Sequence, residues 1–532
     1  MTQKAEQLNK WRENVFFFSL LVPAAVFPFS EALVSISAGL LLLQALLFRI
    51  WVGAKTDLEN KKSVLFPLSV FGVYLIGTLF THDFSFALYE LKKVCFWVVF
   101  PLAVFLSPRL SDRKTYLVLL VFVLSVITAS LIFAGKLVLG SYLQITEFRS
   151  VSIVSHIRFS FQVVLAIILV FWFLANRNTF SSKTPAVILW GTLLWLVLFL
   201  ILLKSLLGIV AFFGVLFVSF FIFIVSEKNK KKKVVLAFLL LLILILPSVY
   251  IGNVIKDFYH FEEIDPETVE NFTLSGNPYQ HNFEQEMREN GHLVHIYLCE
   301  EELRQEWNKR SKIKYDDNLN GYILGSTLIR YLTSLGYRKD SVGVSKLTEK
   351  DIELILEGVT NYKFKNHPFS LYPRIYETVW ELDYYKRTGD PNEKSLAQRI
   401  EYVKASLILI KENLLFGIGT GNWVIQYNDV YDRMNTRLSQ EKRGPSHNQY
   451  LNYLVKFGVF GFVWIMFAIV YPFCQLKHRY NFVFILFLVL YGFANLGDAN
   501  LESHMGLSFF TFFYSLFLWN STHAMKQPVY RN

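Results

Sequence analysis

Apolar residues along the chain are grouped into long runs that alternate with short polar loops. A run of roughly 17 to 25 residues is long enough to cross the hydrocarbon core of a bilayer as a helix, and on that criterion the pattern predicts about twelve transmembrane helices. The predicted protein is therefore an all-α polytopic membrane protein. The runs lie at residues 14–29, 32–51, 64–81, 90–107, 115–138, 158–176, 184–203, 205–226, 233–251, 449–473, 480–497 and 505–520.

One polar segment, residues 252–447, interrupts these runs. Aromatic and aliphatic residues are spread through it, which is typical of a folded segment and not of a disordered one. The chain is thus predicted to comprise an N-terminal membrane domain (1–251), a large, mainly helical loop domain (252–447) and a C-terminal membrane domain (448–532). Helical patterns within the loop domain are predicted at residues 282–310, 319–336, 348–360, 370–388 and 395–413.

The segment from Lys394 to Lys411 is amphipathic. Five apolar residues recur there at the spacing of one helical face. Such a helix either lies on the membrane or packs inside the loop domain. The five residues are Leu396, Ile400, Val403, Leu407 and Ile410.

Charge fixes the predicted orientation. Lys228 and Lys230 to Lys233 form a basic cluster between two runs, and such clusters stay in the cytoplasm. Alternation then places both termini in the cytoplasm and the 252–447 segment outside it. Most basic residues of the short loops fall on the cytoplasmic side as well. The net charge of +11 is explained in this way without a nucleic-acid partner.

Several classes of chemistry lack their motifs. The three cysteines, Cys95, Cys299 and Cys474, indicate neither a disulfide framework nor a cysteine metal site. There is no Walker loop, no His-Glu-x-x-His and no Asp-x-Asp. We therefore predict no ATP-driven transport, no metal site and no cofactor.

Two cations stand at the predicted outer ends of apolar runs. Arg158 begins a run, and Lys204 lies between two runs with almost no loop. A charge at the edge of the hydrocarbon region is costly, and arginine offers a planar fork of donors suited to phosphate oxygens. The alternative is an interfacial anchor whose side chain reaches the head groups. Lys92 and Lys93 stand at another outer helix end and are weaker candidates.

A glycine-rich stretch contains Gly417, Gly419 and Gly421. Alternate glycines would let backbone N–H groups approach a phosphate, whereas the simpler interpretation is a tight turn that ends a helix.

His447 lies where the polar segment meets the apolar run at 449–473. Ser446 is a plausible N-cap for that helix and would place His447 in its first turn. A neutral imidazole there would be suited to act as a general base, although surface histidines without a function are common.

The residues around His447 resemble those of a known family, the O-antigen ligases and O-antigen polymerases. Members of this family are bacterial membrane glycosyltransferases. The resemblance covers the second half of the chain well and the first half mostly by topology. Lys204 stands where the family usually has an arginine. Thr327 to Leu332 and Arg338-Lys339-Asp340 resemble the variant found in Bacteroidetes. The signature residues are Ser446-His447-Asn448-Gln449-Tyr450-Leu451 and Phe457-Gly458-Val459-Phe460-Gly461.

The resemblance implies an inverting transferase of the GT-C type, with membrane lipids around it. Its donor would be a glycan on undecaprenyl diphosphate, on the periplasmic side of a bacterial inner membrane, and its acceptor a sugar of the lipid A core or another glycan. His447 would be the base, with Ser446, Asn448 and the three glycines in support. The diphosphate would be bound by Arg158, Lys204, Arg399 and Arg443.

Two alternatives remain open. A polymerase would join lipid-linked repeat units, and the compact Ser-His-Asn element and long loop favour a ligase over it. A lipid-glycan transporter without chemistry would carry basic residues along its spans, and this chain carries few.

Overall fold

The computed structural model of the chain is mostly α-helical. It describes residues 2–52, 61–142, 154–176, 185–261, 263–285, 287–319, 322–364, 370–475 and 482–520. The chain forms two compact units. One combines Met1–Leu240 with Gly389–Asn532, and the other is Leu241–Thr388. The C-terminal residues 521–532, predicted to be cytoplasmic, lie outside the described residues.

The first unit begins with nine helices joined by short connections. A tenth, α10 (Lys230–Tyr259), contains the border between the two units. The nine are α1 (Thr2–Val26), α2 (Glu31–Val52), α3 (Lys61–Thr78), α4 (Phe84–Lys93), α5 (Phe96–Leu106), α6 (Asp112–Tyr142), α7 (His156–Ala175), α8 (Ala186–Leu202) and α9 (Leu206–Ser226).

The predicted apolar runs coincide with helices. Within the described ranges, six helices are long and apolar enough to cross a membrane: Glu31–Arg49, Asp112–Leu137, His156–Ala175, Leu206–Ser226, Lys230–Tyr259 and Gln449–Cys474. Length and composition thus support six spans, and the count of twelve stays a prediction. Five shorter apolar helices accompany them, Leu65–Thr78, Phe96–Leu106, Ala186–Leu202, Phe482–Gly497 and His504–Leu518.

The run predicted at 90–107 is not a single helix. The helix α4 ends at Lys93, where the N–H of Val94 bonds to the carbonyl of Glu90 at 3.2 Å, and α5 starts only at Phe96. The sequence stays apolar across this turn, so the pattern did not reveal it.

The described residues of the second unit form the C-terminal part of α10, five further α-helices and two short hairpins around a core of their own. The helices are α11 (Glu300–Arg310), α12 (Leu324–Ser334), α13 (Ser341–Ser345), α14 (Glu349–Leu356) and α15 (Tyr372–Thr388). The strands β1 (Arg288–Glu289) and β2 (His292–Leu293) pair antiparallel, as do β3 (Asn318–Leu319) and β4 (Tyr322–Ile323). The core includes Leu303, Trp307, Leu328, Tyr331 and Ile355.

The helix predicted at 282–310 is wrong in its first half, where the first hairpin stands. Asn290 and Gly291 form its turn with φ of 50° and 97°. A two-residue Asn-Gly turn at positive φ matches the right-handed twist of paired strands, and it is a strong hairpin signal.

The chain returns to the first unit with α16 (Ser395–Glu412), α17 (Trp423–Arg433), α18 (Gln449–Gln475), α19 (Phe482–Gly497) and α20 (His504–Asn520). Residues 389–447 therefore group with the apolar helices in one compact unit, and the predicted division into three domains stays a prediction. The helix α16 packs on α17 and α18. It buries Ala405 and Leu409 and leaves Leu407 of the amphipathic face 54% exposed. Contact of that face with the membrane stays a prediction.

Candidate functional site

The residue that caps α18 is Asn448. Its Oδ1 accepts hydrogen bonds from the N–H groups of Tyr450 (3.0 Å) and Leu451 (3.1 Å). The predicted cap, Ser446, is buried and donates instead to Oδ1 of Asn452 at 2.8 Å. The prediction of a Ser446 cap is wrong because an asparagine two residues later satisfies the first-turn donors. His447 therefore precedes the helix and lies between two anchored neighbours.

The side chain of His447 lies beside a carboxylate that directly follows α19. Its Nδ1 lies 3.3 Å from Oδ1 of Asp498, and its side chain is 49% exposed. The Tyr402 ring of α16 packs beside the imidazole, with ring centroids 5.6 Å apart. Asn448 fixes this arrangement, because its Nδ2 donates to the carbonyl of Leu496 near the end of α19 at 3.1 Å.

Arg158 contacts the same carboxylate from the first turn of α7. Its Nη2 lies 3.9 Å from Oδ2 of Asp498, and its Nε donates to Oγ of Ser503 at 3.1 Å. Asp498 thus has the imidazole on one oxygen and the guanidinium on the other. The structure brings together Arg158 and His447, two residues that sequence analysis selected separately.

The carboxylate of Asp498 is held in its ionised form. Burial on its own would raise the pKa of Asp498, but the hydrogen bond with His447 and the positive charge of Arg158 outweigh burial and leave the pKa below its ordinary value. Asp498 was not among the predicted site residues. Its signals in the sequence were an acidic residue directly after an apolar run, 51 residues from His447, and the resemblance of the segment from Asp498 to Phe509 to the O-antigen ligase and polymerase family.

Lys204 lies in the turn between α8 and α9 with a φ of 50°. The next residue, Ser205, donates to Oγ of Ser160 at 3.1 Å, and Ser160 is two residues beyond Arg158 on α7. This bond places the start of α9 beside the first turn of α7. The backbone of Lys204 is therefore close to the helical turn that carries Arg158.

The two remaining predicted cations differ in their surroundings. Arg399 is half-buried on α16, one turn before Tyr402, whose ring contacts His447. Arg443 is instead paired with Asp432, with Nη1 and Oδ1 2.8 Å apart. Arg399 thus lies one helical turn from the residue that contacts His447, whereas the charge of Arg443 is already compensated.

The glycine-rich stretch is a packing loop. The N–H of Gly417 bonds to the Asn413 carbonyl at 3.0 Å, that of Gly419 to the Lys456 carbonyl at 2.9 Å, and that of Gly421 to Oγ1 of Thr81 at 3.1 Å. These donors are taken, so the interpretation of the three glycines as a phosphate cradle is not supported.

Glycine is needed in this loop for close approach. Gly417 and Gly419 have φ of 71° and 88°, and a Cβ on Gly417 would overlap the backbone of Lys456 and Phe457. Their supporting role is to seat the loop against α18 and α3.

One comparison with known families identifies this region. Residues 359–466 match the family model described as Wzy_C, O-antigen ligase. The match includes His447, Arg399, Arg443 and the glycine loop, whereas Arg158, Lys204 and Asp498 lie outside it. No curated protein matches the chain. Residues 359–466 are thus similar to the O-antigen ligase family, and this match supports the resemblance noted in the sequence for that part of the chain.

Proposed function

We propose that this chain, with its O-antigen ligase domain, moves a glycan from undecaprenyl diphosphate to a sugar of the lipid A core or a similar acceptor. The transfer inverts the anomeric carbon, requires no metal and takes place on the periplasmic face of the inner membrane. The observation that carries the proposal is the meeting of His447 and Arg158 on the single carboxylate of Asp498.

His447 is the proposed general base. When Nδ1 donates its hydrogen to Asp498, the lone pair of Nε2 is left for the acceptor hydroxyl. The acceptor oxygen then attacks the anomeric carbon, its proton passes to Nε2, and the bond from that carbon to the diphosphate breaks. Asp498 orients the ring and stabilises the imidazolium that forms, as a carboxylate does for the histidine of hydrolase triads. The half-exposed side chain of His447 leaves room for an acceptor.

Fixed cations are proposed to receive the leaving diphosphate. Charge develops on the diphosphate as the glycosidic bond breaks, and cations held in place beforehand stabilise it most effectively. Arg158 stands on the first turn of α7, Lys204 would approach from the adjacent turn between α8 and α9, and Arg399 from α16. Arg443 would first have to leave Asp432, so we give it the smaller part.

The direct test is His447→Ala in purified protein supplied with a lipid-linked glycan donor and a lipid A-core acceptor. Loss of a general base reduces the rate by about 10²- to 10⁴-fold. His281→Ala, in the other compact unit, is the matched control and should transfer at the wild-type rate. Transfer by His447→Ala at the wild-type rate would remove the base assignment, and transfer by no form of the protein would favour the transporter.

The choice between ligase and polymerase is tested in cells that lack the chain. A ligase defect leaves lipid A without long glycans while lipid-linked polymer accumulates. A polymerase defect leaves a single repeat unit on the core. We expect the first pattern, and the second would replace the acceptor proposed above.

A further inference from the structure

A buried group of charges stands next to the site. Nζ of Lys456, on α18, lies 2.8 Å from Oε2 of Glu90 and 2.9 Å from Oε1 of Glu502. The side chains of Lys456, Glu90 and Glu502 are 4%, 1% and 7% exposed. The proposed transfer uses none of the three residues directly.

Such a group is expensive to maintain. Removing charges from water costs several kcal/mol per ion, and buried ion pairs often contribute no net stability compared with apolar side chains of similar volume. Ionisable residues within membrane helices are a functional hypothesis by default. We therefore expect this group to position the residues to which its members are hydrogen-bonded.

Glu502 connects the group to the residue before His447. Its Oε2 accepts from Nδ2 of Asn452 at 3.1 Å, and Oδ1 of Asn452 accepts from Oγ of Ser446 at 2.8 Å. Its Oε1 also accepts from the hydroxyl of Tyr74 on α3 at 2.8 Å. One carboxylate thereby fixes the backbone that presents His447.

Glu502 also lies within the segment that carries the other two members of the site. It ends the 3-10 helix Asn500–Glu502, which begins two residues after Asp498. The residue that follows it, Ser503, accepts the hydrogen bond from Arg158. Glu502 therefore lies close in the chain to Asp498 and to the hydrogen-bond partner of Arg158. Through Asn452 it is also connected to Ser446, the residue before His447.

We infer that Glu502, held by Lys456, is a positioning residue that sets His447, Asp498 and Arg158 at their working separation. The inference rests on the proposed function. Glu90 serves a different purpose, because it balances the charge of Lys456 from α4, and its other ion pair is with Lys93 at 2.8 Å. The two glutamates thus contact Lys456 at nearly equal distances. They differ in their other partners, because Glu502 is hydrogen-bonded to Asn452 and Glu90 is paired with Lys93.

This inequality provides a matched pair of variants, Glu502→Gln and Glu90→Gln. Each removes one carboxylate charge from Lys456 at nearly the same distance. A misplacement near 1 Å costs about 100-fold in rate, so Glu502→Gln should lower kcat by about 10- to 100-fold. Glu90→Gln should stay within about threefold of the wild-type kcat, because a residual carboxylate still pairs with the lysine.

Asn452→Leu is the second variant, because it cuts the connection from Glu502 to Ser446 without changing a charge. Its kcat should fall as that of Glu502→Gln does, while its thermal unfolding midpoint stays close to that of Glu90→Gln. It keeps the test open if Glu502→Gln does not fold.

The readouts are kcat, the KM for the lipid-linked donor and the unfolding midpoint of purified full-length protein. If kcat falls in proportion to the loss of stability in all three variants, the group is only structural and the inference is overturned. His447→Ala in the same assay separates the two claims. An inactive His447→Ala beside equal Glu502→Gln and Glu90→Gln rejects the positioning role alone, whereas an active His447→Ala rejects the proposed function.

Discussion

At the scale of single residues, the site depends on one shared acid. His447 and Arg158 could be selected from the sequence because each is a residue type that is costly at a membrane edge. Asp498 could not, because its importance comes from proximity to residues that are distant in sequence. Lys456 was visible as a charge inside the apolar run at 449–473, but its two partners come from other segments. The apolar periodicity of one helix does not show which residues of other helices it contacts.

Asp498→Asn tests the shared acid. An amide keeps the shape of the side chain but cannot balance an imidazolium, so kcat should fall by about 100-fold or more. The measurement is glycan transfer by purified protein at saturating donor. Asp316→Asn, which removes the exposed partner of Arg304 in the second unit, is the control. Equal rates for the two variants would contradict the orienting role of Asp498.

Lys339 provides a pH-dependent test of the second unit. Its side chain is buried, its Nζ donates to the Leu293 carbonyl at 3.2 Å, and burial lowers its pKa from the ordinary 10.5 to about 7. Between these values the unfolded chain binds more protons than the native unit, so the free energy of unfolding should rise with pH in that window. Below pH 7 the native unit must hold a buried charge.

Lys339→Met removes this penalty. The variant should unfold at a higher temperature than wild type at pH 6, and the difference should shrink by pH 9. Lys312→Met, at an exposed position of the same unit, is the control. A difference that does not change with pH would show that Lys339 is not the titrating group.

At the scale of elements, sequence patterns succeeded where one local rule sufficed. Apolar runs of bilayer length marked the long helices, and α12, α14, α15 and α16 lie within segments predicted to be helical. The failures have local causes too. The Asn290-Gly291 turn was read as part of a helix although it is a hairpin signal, and the turn between α4 and α5 is apolar throughout.

The sequence did not show that α18 is broken, nor what the break does. Gly458 has a φ of 62° inside this helix. The carbonyls of Val455 and Lys456 then accept from the N–H groups of Ile418 and Gly419, each at 2.9 Å. The glycine loop and the broken helix therefore form one structure.

Gly417→Ala should disrupt this structure. A non-glycine residue at positive φ costs about 1–3 kcal/mol, and overlap with the Lys456 backbone adds to that cost. The unfolding midpoint of the purified protein should fall clearly. Gly39→Ala is the control, because nothing lies within 4 Å of its added Cβ and alanine favours a helix. Equal midpoints for the two variants would contradict the packing role of the loop.

At the scale of the whole molecule, the charge pattern predicts the orientation. It predicts that residues 252–447 lie outside the cytoplasm and that the lysine cluster at the start of α10 lies inside. Single cysteines in a background without Cys95, Cys299 and Cys474 would test this. We expect Ser275→Cys to react with a membrane-impermeant maleimide in cells with a permeabilised outer membrane, and Asn229→Cys to react only after lysis. The reverse pattern would invert the proposed topology.

The helix α10 has a further consequence for the molecule. None of the 18 residues in its most apolar window is buried inside the protein, and the mean hydropathy of that window is 3.0. In the proposed topology, most of that length would face the acyl chains of the bilayer. At 1.5 Å per residue its 30 residues span about 45 Å, beyond a hydrocarbon core of about 30 Å. The apolar run at 233–251 covers about 28 Å of that length, so the bilayer core would hold this run while the lysines at the start of the helix reach the head groups.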